Sequence, residues 1–135
     1  MIRSVPFLAV AALALGAPVA AADNNVGDAA GAAKLAKLLD GRVAGEPVDC
    51  IRDASSSGME IVGGTAMVFK RGPTIYVNQP DGANTLDRWD VPVFYKFGGS
   101  DLCKLDRVEL RQRGSQIPGP SLFLAQFVPY TRPNP

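Results

Sequence analysis

The sequence predicts a mainly β fold of the α+β class. We expect an antiparallel small barrel or sandwich of five to six strands, with one N-terminal helix and one disulfide. Three observations support this expectation: short runs in which apolar and polar residues alternate, turns rich in Gly, Pro and Asp between these runs, and a single segment with helical periodicity. Strands that alternate with helices are not seen, which disfavours a doubly wound parallel sheet.

The first 22 residues have the features of a secretory signal peptide. Arg3 supplies a positive start, residues 7–17 an apolar middle, and residues 20–22 small side chains before a cleavage point at Asp23. An uncleaved anchor is the alternative, but Gly and Pro residues interrupt the apolar run, which falls short of the ~20 residues that span a bilayer. We therefore expect a periplasmic or secreted protein with no stable membrane insertion after cleavage.

Cleavage leaves residues 23–135, a length that suits a single small β-rich domain. Residues 23–27 are predicted to form a flexible leader. The chain has 14 basic and 13 acidic residues, and loss of Arg3 with the signal leaves 13 of each. A net charge of zero removes the long-range attraction that a dedicated nucleic-acid binder uses, so no nucleic-acid partner is expected.

The one predicted helix covers about residues 28–40, a segment rich in helix formers. Gly41 suits the end of a helix because glycine adopts the left-handed conformation easily. An amphipathic membrane-surface helix is the alternative, but the apolar side is mostly alanine and has no aromatic residue. The apolar residues at helical spacing, which we expect to face the core, are Ala32, Leu35, Ala36 and Leu39.

Two strands are predicted to form a hairpin around a Gly-Pro turn. Val68 precedes that turn, Ile75 and Val77 follow it, and a second turn at residues 80–82 closes the unit. In the next strand Pro92 indicates an edge position or a later start. The residues of that strand that share one face are Val91, Val93, Tyr95 and Phe97.

Two further strands complete the predicted sheet. In residues 107–113, Val108 and Leu110 lie on one side and charged residues on the other. Residues 121–130 predict a last strand that is apolar on both faces, and such a strand is central or covered by the helix.

Cys50 and Cys103 are the two cysteines of the chain, and the predicted export favours a disulfide between them. A zinc site is disfavoured because the chain has no histidine to complete the usual four ligands. A redox role is disfavoured because the C-x-x-C spacing is missing. We expect neither a metal nor a cofactor.

The absence of histidine also narrows catalysis, because histidine is the commonest general base near neutral pH. Ser100 and Lys104 do not have the S-x-x-K spacing that a serine nucleophile with a lysine base requires. Paired carboxylates are the remaining catalytic alternative, but a glycosidase needs two of them facing each other across a cleft. The two candidate pairs are Asp87 with Asp90 and Asp101 with Asp106.

A calcium loop at residues 81–90 is disfavoured, because Ala83 stands where the EF-hand pattern needs an oxygen ligand. Trp89 has two interpretations. It is either an exposed binding aromatic or, as is more common, a partly buried cover over the core.

A charged stripe on the strand at residues 107–113 is the most specific surface feature of the sequence. Arg107, Arg111 and Arg113 alternate with Glu109 and form a candidate anion-binding face, since guanidinium groups hold phosphates and carboxylates through bidentate hydrogen bonds. The alternative is a solvated strand face whose charges discourage edge pairing.

Four blocks of the sequence resemble those of a functionally uncharacterised family of small exported proteobacterial envelope proteins, a domain of unknown function. The blocks are GEPVDCI, TIYVNQP, SDLCK and FVPYTRP, and the similarity covers about residues 38–133. The resemblance implies an envelope location, a β-rich fold and a bridge between Cys50 and Cys103. It carries over no functional residue.

The leading hypothesis is therefore a non-catalytic domain that binds a partner or supports the cell envelope. An anionic glycan, lipid or protein of the envelope is the partner that the arginine stripe suggests. Two alternatives stay open: a small hydrolase that uses paired aspartates, and an inhibitor of an envelope-active enzyme that presents a protruding loop such as residues 80–90.

Overall fold

The computed structural model describes residues 26–52, 58–115 and 117–134, and it confirms the predicted fold class. The described chain is mainly β, with one α-helix, antiparallel sheets and a Cys50–Cys103 disulfide. The sheets are stacked like a sandwich and do not close into a barrel. The predicted signal peptide lies outside the described residues.

The described residues form one α-helix, one short 3-10 helix at Ala83–Thr85, and ten strands. The helix α1 spans Val26–Leu38. The strands are β1 Val43–Ala44, β2 Cys50–Ile51, β3 Met59–Val62, β4 Ala66–Arg71, β5 Thr74–Asn78, β6 Asp90–Tyr95, β7 Leu102–Cys103, β8 Arg107–Gln112, β9 Pro118–Phe123 and β10 Phe127–Thr131. The number exceeds the predicted five to six, and three of the additional strands have only two residues.

The strands form a large sheet in the order β1-β10-β5-β4-β3, a small sheet in the order β6-β8-β9, and a short β2-β7 ladder. The helix covers one face of the large sheet, where Leu35, Leu38 and Leu39 pack on Val68 and its neighbours. The other face of the large sheet packs against the small sheet. The main core between the two sheets is lined by Met67, Phe69, Val108, Leu110, Leu122 and Phe127.

The helix begins at Val26, inside the segment predicted to be a leader, and its inward face differs from the prediction. Ala32 and Ala36 are exposed, whereas Gly31 is buried against the turn between β3 and β4. A Cβ atom at Gly31 would collide with the carbonyl oxygen of Gly63 and with the Thr65 side chain. The helix therefore approaches the sheet at its smallest residue, which the periodicity of its larger apolar residues does not show.

The β4–β5 hairpin and the edge position of β6 are confirmed. The last predicted strand is wrong, because residues 121–130 contain the end of β9 and nearly all of β10. The break is stabilised by Asn78, whose fully buried amide donates to the carbonyl of Ala125 at 2.7 Å and accepts from the N–H of Ala125 at 3.0 Å. Only β10 occupies the predicted central place, while β9 is an edge strand of the small sheet.

The disulfide joins β2 and β7, where Cys50 lies directly opposite Cys103 with their Cα atoms 4.0 Å apart. The neighbouring pair Ile51 and Leu102 is buried in the main core. Such a bridge is typical of compartments outside the reducing cytoplasm. The bridge therefore ties a two-residue ladder to the core and indicates an oxidising compartment.

Candidate functional site

The predicted arginine stripe lies on the outer face of the small sheet. Val108 and Leu110 are buried on the inner face of β8, as predicted, and Arg107 and Arg111 lie on its opposite face. Because β8 pairs with both β6 and β9, it is a central strand. The charges of β8 therefore do not protect a sheet edge, while the alternative of a solvated strand face stays open.

Two arginines of the stripe contact neighbouring side chains. The guanidinium carbon of Arg107 lies 4.0 Å from the centre of the Tyr95 ring, a cation–π contact between directly opposite residues. Arg111 donates from Nε to Oε1 of the buried Glu109 at 2.6 Å, and the Tyr95 hydroxyl lies 3.4 Å from the other carboxylate oxygen. The hydrogen bond to Glu109 raises the pKa of Arg111 above its ordinary value. Arg111 is thus committed to a buried carboxylate.

Arg113 leaves the stripe, because β8 ends at Gln112 and Arg113 lies in the following turn. It lines a cleft of about 380 Å³ that we call the Trp89 cleft. Val91 lines the same cleft and lies directly opposite Arg111 in the small sheet. The cleft therefore adjoins the outer face that carries Arg107 and Arg111, which we call the arginine face. The cleft is lined by Lys34, Met59, Glu60, Ile61, Arg88, Trp89, Asp90, Val91, Pro92 and Arg113.

Trp89 is 62% exposed at the cleft, so the prediction that it is a partly buried cover is wrong. Leu86, which is 4% exposed, fills the core in this segment instead and also anchors the loop predicted to protrude. The Asp87 carboxylate accepts a hydrogen bond from the Trp89 N–H at 2.9 Å. The guanidinium carbon of Arg88 lies 4.7 Å from the centre of the indole ring. A fixed turn therefore presents an aromatic ring and a cation side by side.

The charged side chains around the cleft differ in whether they form ion pairs with other described residues. Glu60 pairs with Lys34 at 2.5 Å and with Lys70 at 3.6 Å. The hydrogen bond from Lys34 lowers the pKa of Glu60 below its ordinary value. Arg88 and Arg113, in contrast, form no ion pair with any residue that the structure describes. These two guanidinium groups are the ones placed to meet an external anion.

The Asp90 carboxyl belongs to the lining of the cleft, at the start of β6. Burial raises the pKa of Asp90, and the neighbouring charge of Asp87 acts in the same direction.

In the second predicted carboxylate pair, Asp101 with Asp106, the Asp106 carboxylate is not placed for catalysis. That carboxylate is buried and accepts hydrogen bonds from the N–H groups of Phe97 at 3.0 Å and Cys103 at 2.7 Å, while Asp101 is exposed. The two oxygens of Asp106 thus hold the backbone around β7. Within residues 26–52, 58–115 and 117–134, no three His, Cys, Asp or Glu side chains cluster as metal ligands.

A smaller hollow of about 280 Å³ lies beside the disulfide ladder, between Asp81, Lys104, Leu105 and Phe123. Leu105 is 63% exposed and has a φ angle of 71°, in the left-handed region that favours glycine. The turn that contains Leu105 is closed by the Asp106 N–H, which donates to the Cys103 carbonyl at 3.1 Å. No pattern in the sequence distinguishes this leucine from a core residue.

Sequence reasoning identified Arg113 and Trp89 separately, and it missed Lys34 and Arg88 as their neighbours. These four residues belong to the helix, to the loop before β6 and to the turn after β8, so only the fold brings them together. A lysine on a polar helix face carries no signal of its own. The one local signal is the Arg88–Trp89 dipeptide beside an aspartate turn.

No protein-family model, curated protein sequence or solved structure matches this chain. The resemblance to small exported envelope proteins therefore stays a prediction. No helix within the described ranges is both long enough and apolar enough to cross a membrane.

Proposed function

We propose that the protein is an exported, non-catalytic domain of the cell envelope that binds an anionic partner. The binding surface consists of the Trp89 cleft and the adjoining arginine face. The observation that carries the proposal is the exposure of Trp89 in a cleft that is also lined by two guanidinium groups with no acidic partner among the described residues. The Cys50–Cys103 bridge supports export, because disulfides persist in oxidising compartments.

The chemistry of the cleft suits an anion that is attached to an apolar or ring-shaped group. Guanidinium groups donate parallel hydrogen bonds to carboxylates and phosphates, and these charge-assisted bonds are stronger than neutral ones. Tryptophan offers a large apolar face with a polar edge, and such residues dominate binding energy where they become covered. Arg113 and Arg88 supply the charge, and Trp89 supplies the contact area.

The arginines of the arginine face contribute differently to anion binding in this proposal. The guanidinium carbon of Arg107 lies 4.0 Å from the centre of the Tyr95 ring, and in this proposal the group contributes its charge to an anion beside the cleft. Arg111 acts as a positioning residue, because its pairing with Glu109 prevents that buried carboxylate from repelling an anion. The three arginines of the stripe are therefore not equivalent.

The proposal is tested by retention of residues 23–135 on three immobilised anionic probes across a salt series. The probes are polygalacturonate, polyglutamate and vesicles that contain an anionic phospholipid. We expect retention on at least one probe at low salt and its loss as salt rises, since exposed charges are screened. Arg113→Gln should lower the affinity about tenfold, the loss of one charge-assisted hydrogen bond.

Arg132→Gln is the matched control, because it removes the same charge from the segment after β10, a strand at the far side of the large sheet from β3. It should bind as the unmodified protein does. Equal weakening by the two variants would show an effect of net charge alone. Absence of retention on all three probes at low salt would refute the proposed function.

Export is tested by the intact mass of the protein from the envelope fraction. A chain that begins at Asp23, with no thiol open to alkylation before reduction, is the expected species. A full-length chain with two free thiols would contradict export.

A further inference from the structure

The Trp89 cleft lies where the free edges of both sheets meet. One wall is β3, the last strand of the large sheet, and the other is β6, the first strand of the small sheet. An unpaired sheet edge presents N–H and carbonyl groups that can bind another extended chain. The backbone hydrogen bonds of β3 and β6 show which of the two edges has N–H and carbonyl groups directed to the cleft.

The hydrogen bonds between β3 and β4 show which residues of β3 direct their backbone groups to the cleft. The Lys70 N–H donates to the carbonyl of Gly58 at 2.7 Å, so Gly58 and, by alternation, Glu60 and Val62 direct their backbone groups to β4. Met59 and Ile61 therefore direct their N–H and carbonyl groups away from β4. Both residues line the cleft. The β3 edge thus presents two donors and two acceptors to it.

The β6 edge is blocked over the same stretch. The Leu124 N–H donates to the Asp106 carbonyl at 2.9 Å, so even-numbered residues of β8 face β9 and odd-numbered ones face β6. Asp90 and Pro92 of β6 are therefore the residues whose backbone points to the cleft. The Asp90 N–H is bonded to the Asp87 carbonyl at 3.0 Å, and proline has no N–H. This wall offers no donor to an added strand.

We propose that the partner is an extended polypeptide segment with acidic side chains, which adds to the edge of β3 as a further strand of the large sheet. The proposal rests on the proposed function, because it names the partner of the same cleft. Backbone pairing with Met59 and Ile61 holds the segment, and its acidic side chains meet Arg88 and Arg113, the two guanidinium groups of the cleft that form no ion pair with any described residue. Trp89 then covers one side of the added strand.

The experiment uses residues 23–135 and a short capped peptide in which glutamate alternates with valine. The control peptide has the same sequence but carries backbone N-methyl groups at alternate residues, on the edge that would face β3. The control keeps every charge and side chain and cannot pair as a strand. We expect it to bind about tenfold more weakly, the effect of losing two backbone hydrogen bonds.

Amide hydrogen exchange locates the contact. At a peptide concentration of about ten times Kd, exchange at Met59 and Ile61 should slow about tenfold. The amides of Glu60 and Val62 are already bonded to β4 and should change little. Met59→Pro, which removes an edge-directed N–H, should weaken binding, whereas Met59→Leu should not.

The outcomes separate this inference from the proposed function. Binding of polygalacturonate or of vesicles without binding of the peptide would overturn the strand addition and leave the anion site intact. Equal binding of the two peptides, or no slowing at Met59 and Ile61, would do the same. Failure of every anionic probe would overturn both proposals. The peptides are tested on the unmodified chain, so a poorly folded Met59→Pro variant does not affect this decision.

Discussion

Replacement of Cys50 and Cys103 together by alanine should lower the free energy of unfolding by about 4 kcal/mol. The bridge closes a loop with a sequence separation of 53 residues, and the loss of loop-closure entropy for that length gives this value. In the native state the short β2-β7 ladder has few other interactions that could replace the bridge. The ladder consists of two-residue strands, and the bridge anchors it beside the buried pair Ile51 and Leu102.

Urea unfolding monitored by circular dichroism measures the effect. For a slope of about 2 kcal/mol/M, the midpoint should fall by about 2 M. The unmodified protein with a thiol reductant is the control, and its midpoint should match that of the variant. An unchanged midpoint and slope in the variant would show that the bridge does not restrict the unfolded chain.

Three further predictions concern single positions. Leu105→Gly should raise the free energy of unfolding by about 1 kcal/mol, because glycine adopts the positive φ angle without strain; Leu105→Ala keeps the strain, and an equal gain in both variants in urea unfolding would contradict this reasoning. Gly31→Ala should lower the thermal midpoint although alanine favours a helix, because the added methyl group collides with the Gly63 backbone; a raised midpoint would show that the helix can shift away. The lowered pKa of Glu60 means that its ion pairs stabilise the fold above the ordinary value of 4.5 and are lost as pH falls through the lowered pKa. Glu60→Gln should therefore show a smaller loss of stability below that pH in acid unfolding, and an identical pH profile in the two proteins would refute the assignment.

Local patterns predicted those parts of the fold that depend on neighbours in the chain. The Gly-Pro turn predicted the β4–β5 hairpin, and Pro92 predicted an edge strand because proline cannot donate to a ladder. The alternation at residues 107–113 gave the two faces of β8 correctly. In each case the residues that form the sequence pattern are the same residues that form the predicted structure.

The features that sequence reasoning missed depend on contacts between distant segments. Residues 121–130 look like one strand because the break at Ala125 is stabilised by Asn78, far away in the chain. The exposure of Trp89 follows from Leu86 filling the core, a choice that composition does not show. The pairing of Arg111 with a buried Glu109 also involves Tyr95 on the neighbouring strand, whose hydroxyl lies 3.4 Å from an atom of each side chain.

The candidate site was only half predictable for the same reason. The stripe gave Arg107, Arg111 and Arg113 as a straight row, and the end of β8 turns Arg113 into the cleft. The cleft itself exists because the edges of two sheets lie side by side. Sheet order is a long-range property, and a single sequence without internal repeats contains no direct signal of it.

The central claim is that the Trp89 cleft is where an anionic partner binds, and the fluorescence of Trp89 tests it most directly. Trp89 is the sole tryptophan of the chain and is 62% exposed, so its emission reports on the cleft alone. The measurement is a titration of residues 23–135 with the alternating glutamate–valine peptide and with polygalacturonate at low salt.

We expect a saturable shift of the emission to shorter wavelength as the indole ring becomes covered, its reversal by added salt, and an about tenfold weaker response in Arg113→Gln but not in Arg132→Gln. Binding of either probe on the column without any change in Trp89 emission would place the anion elsewhere and contradict the account.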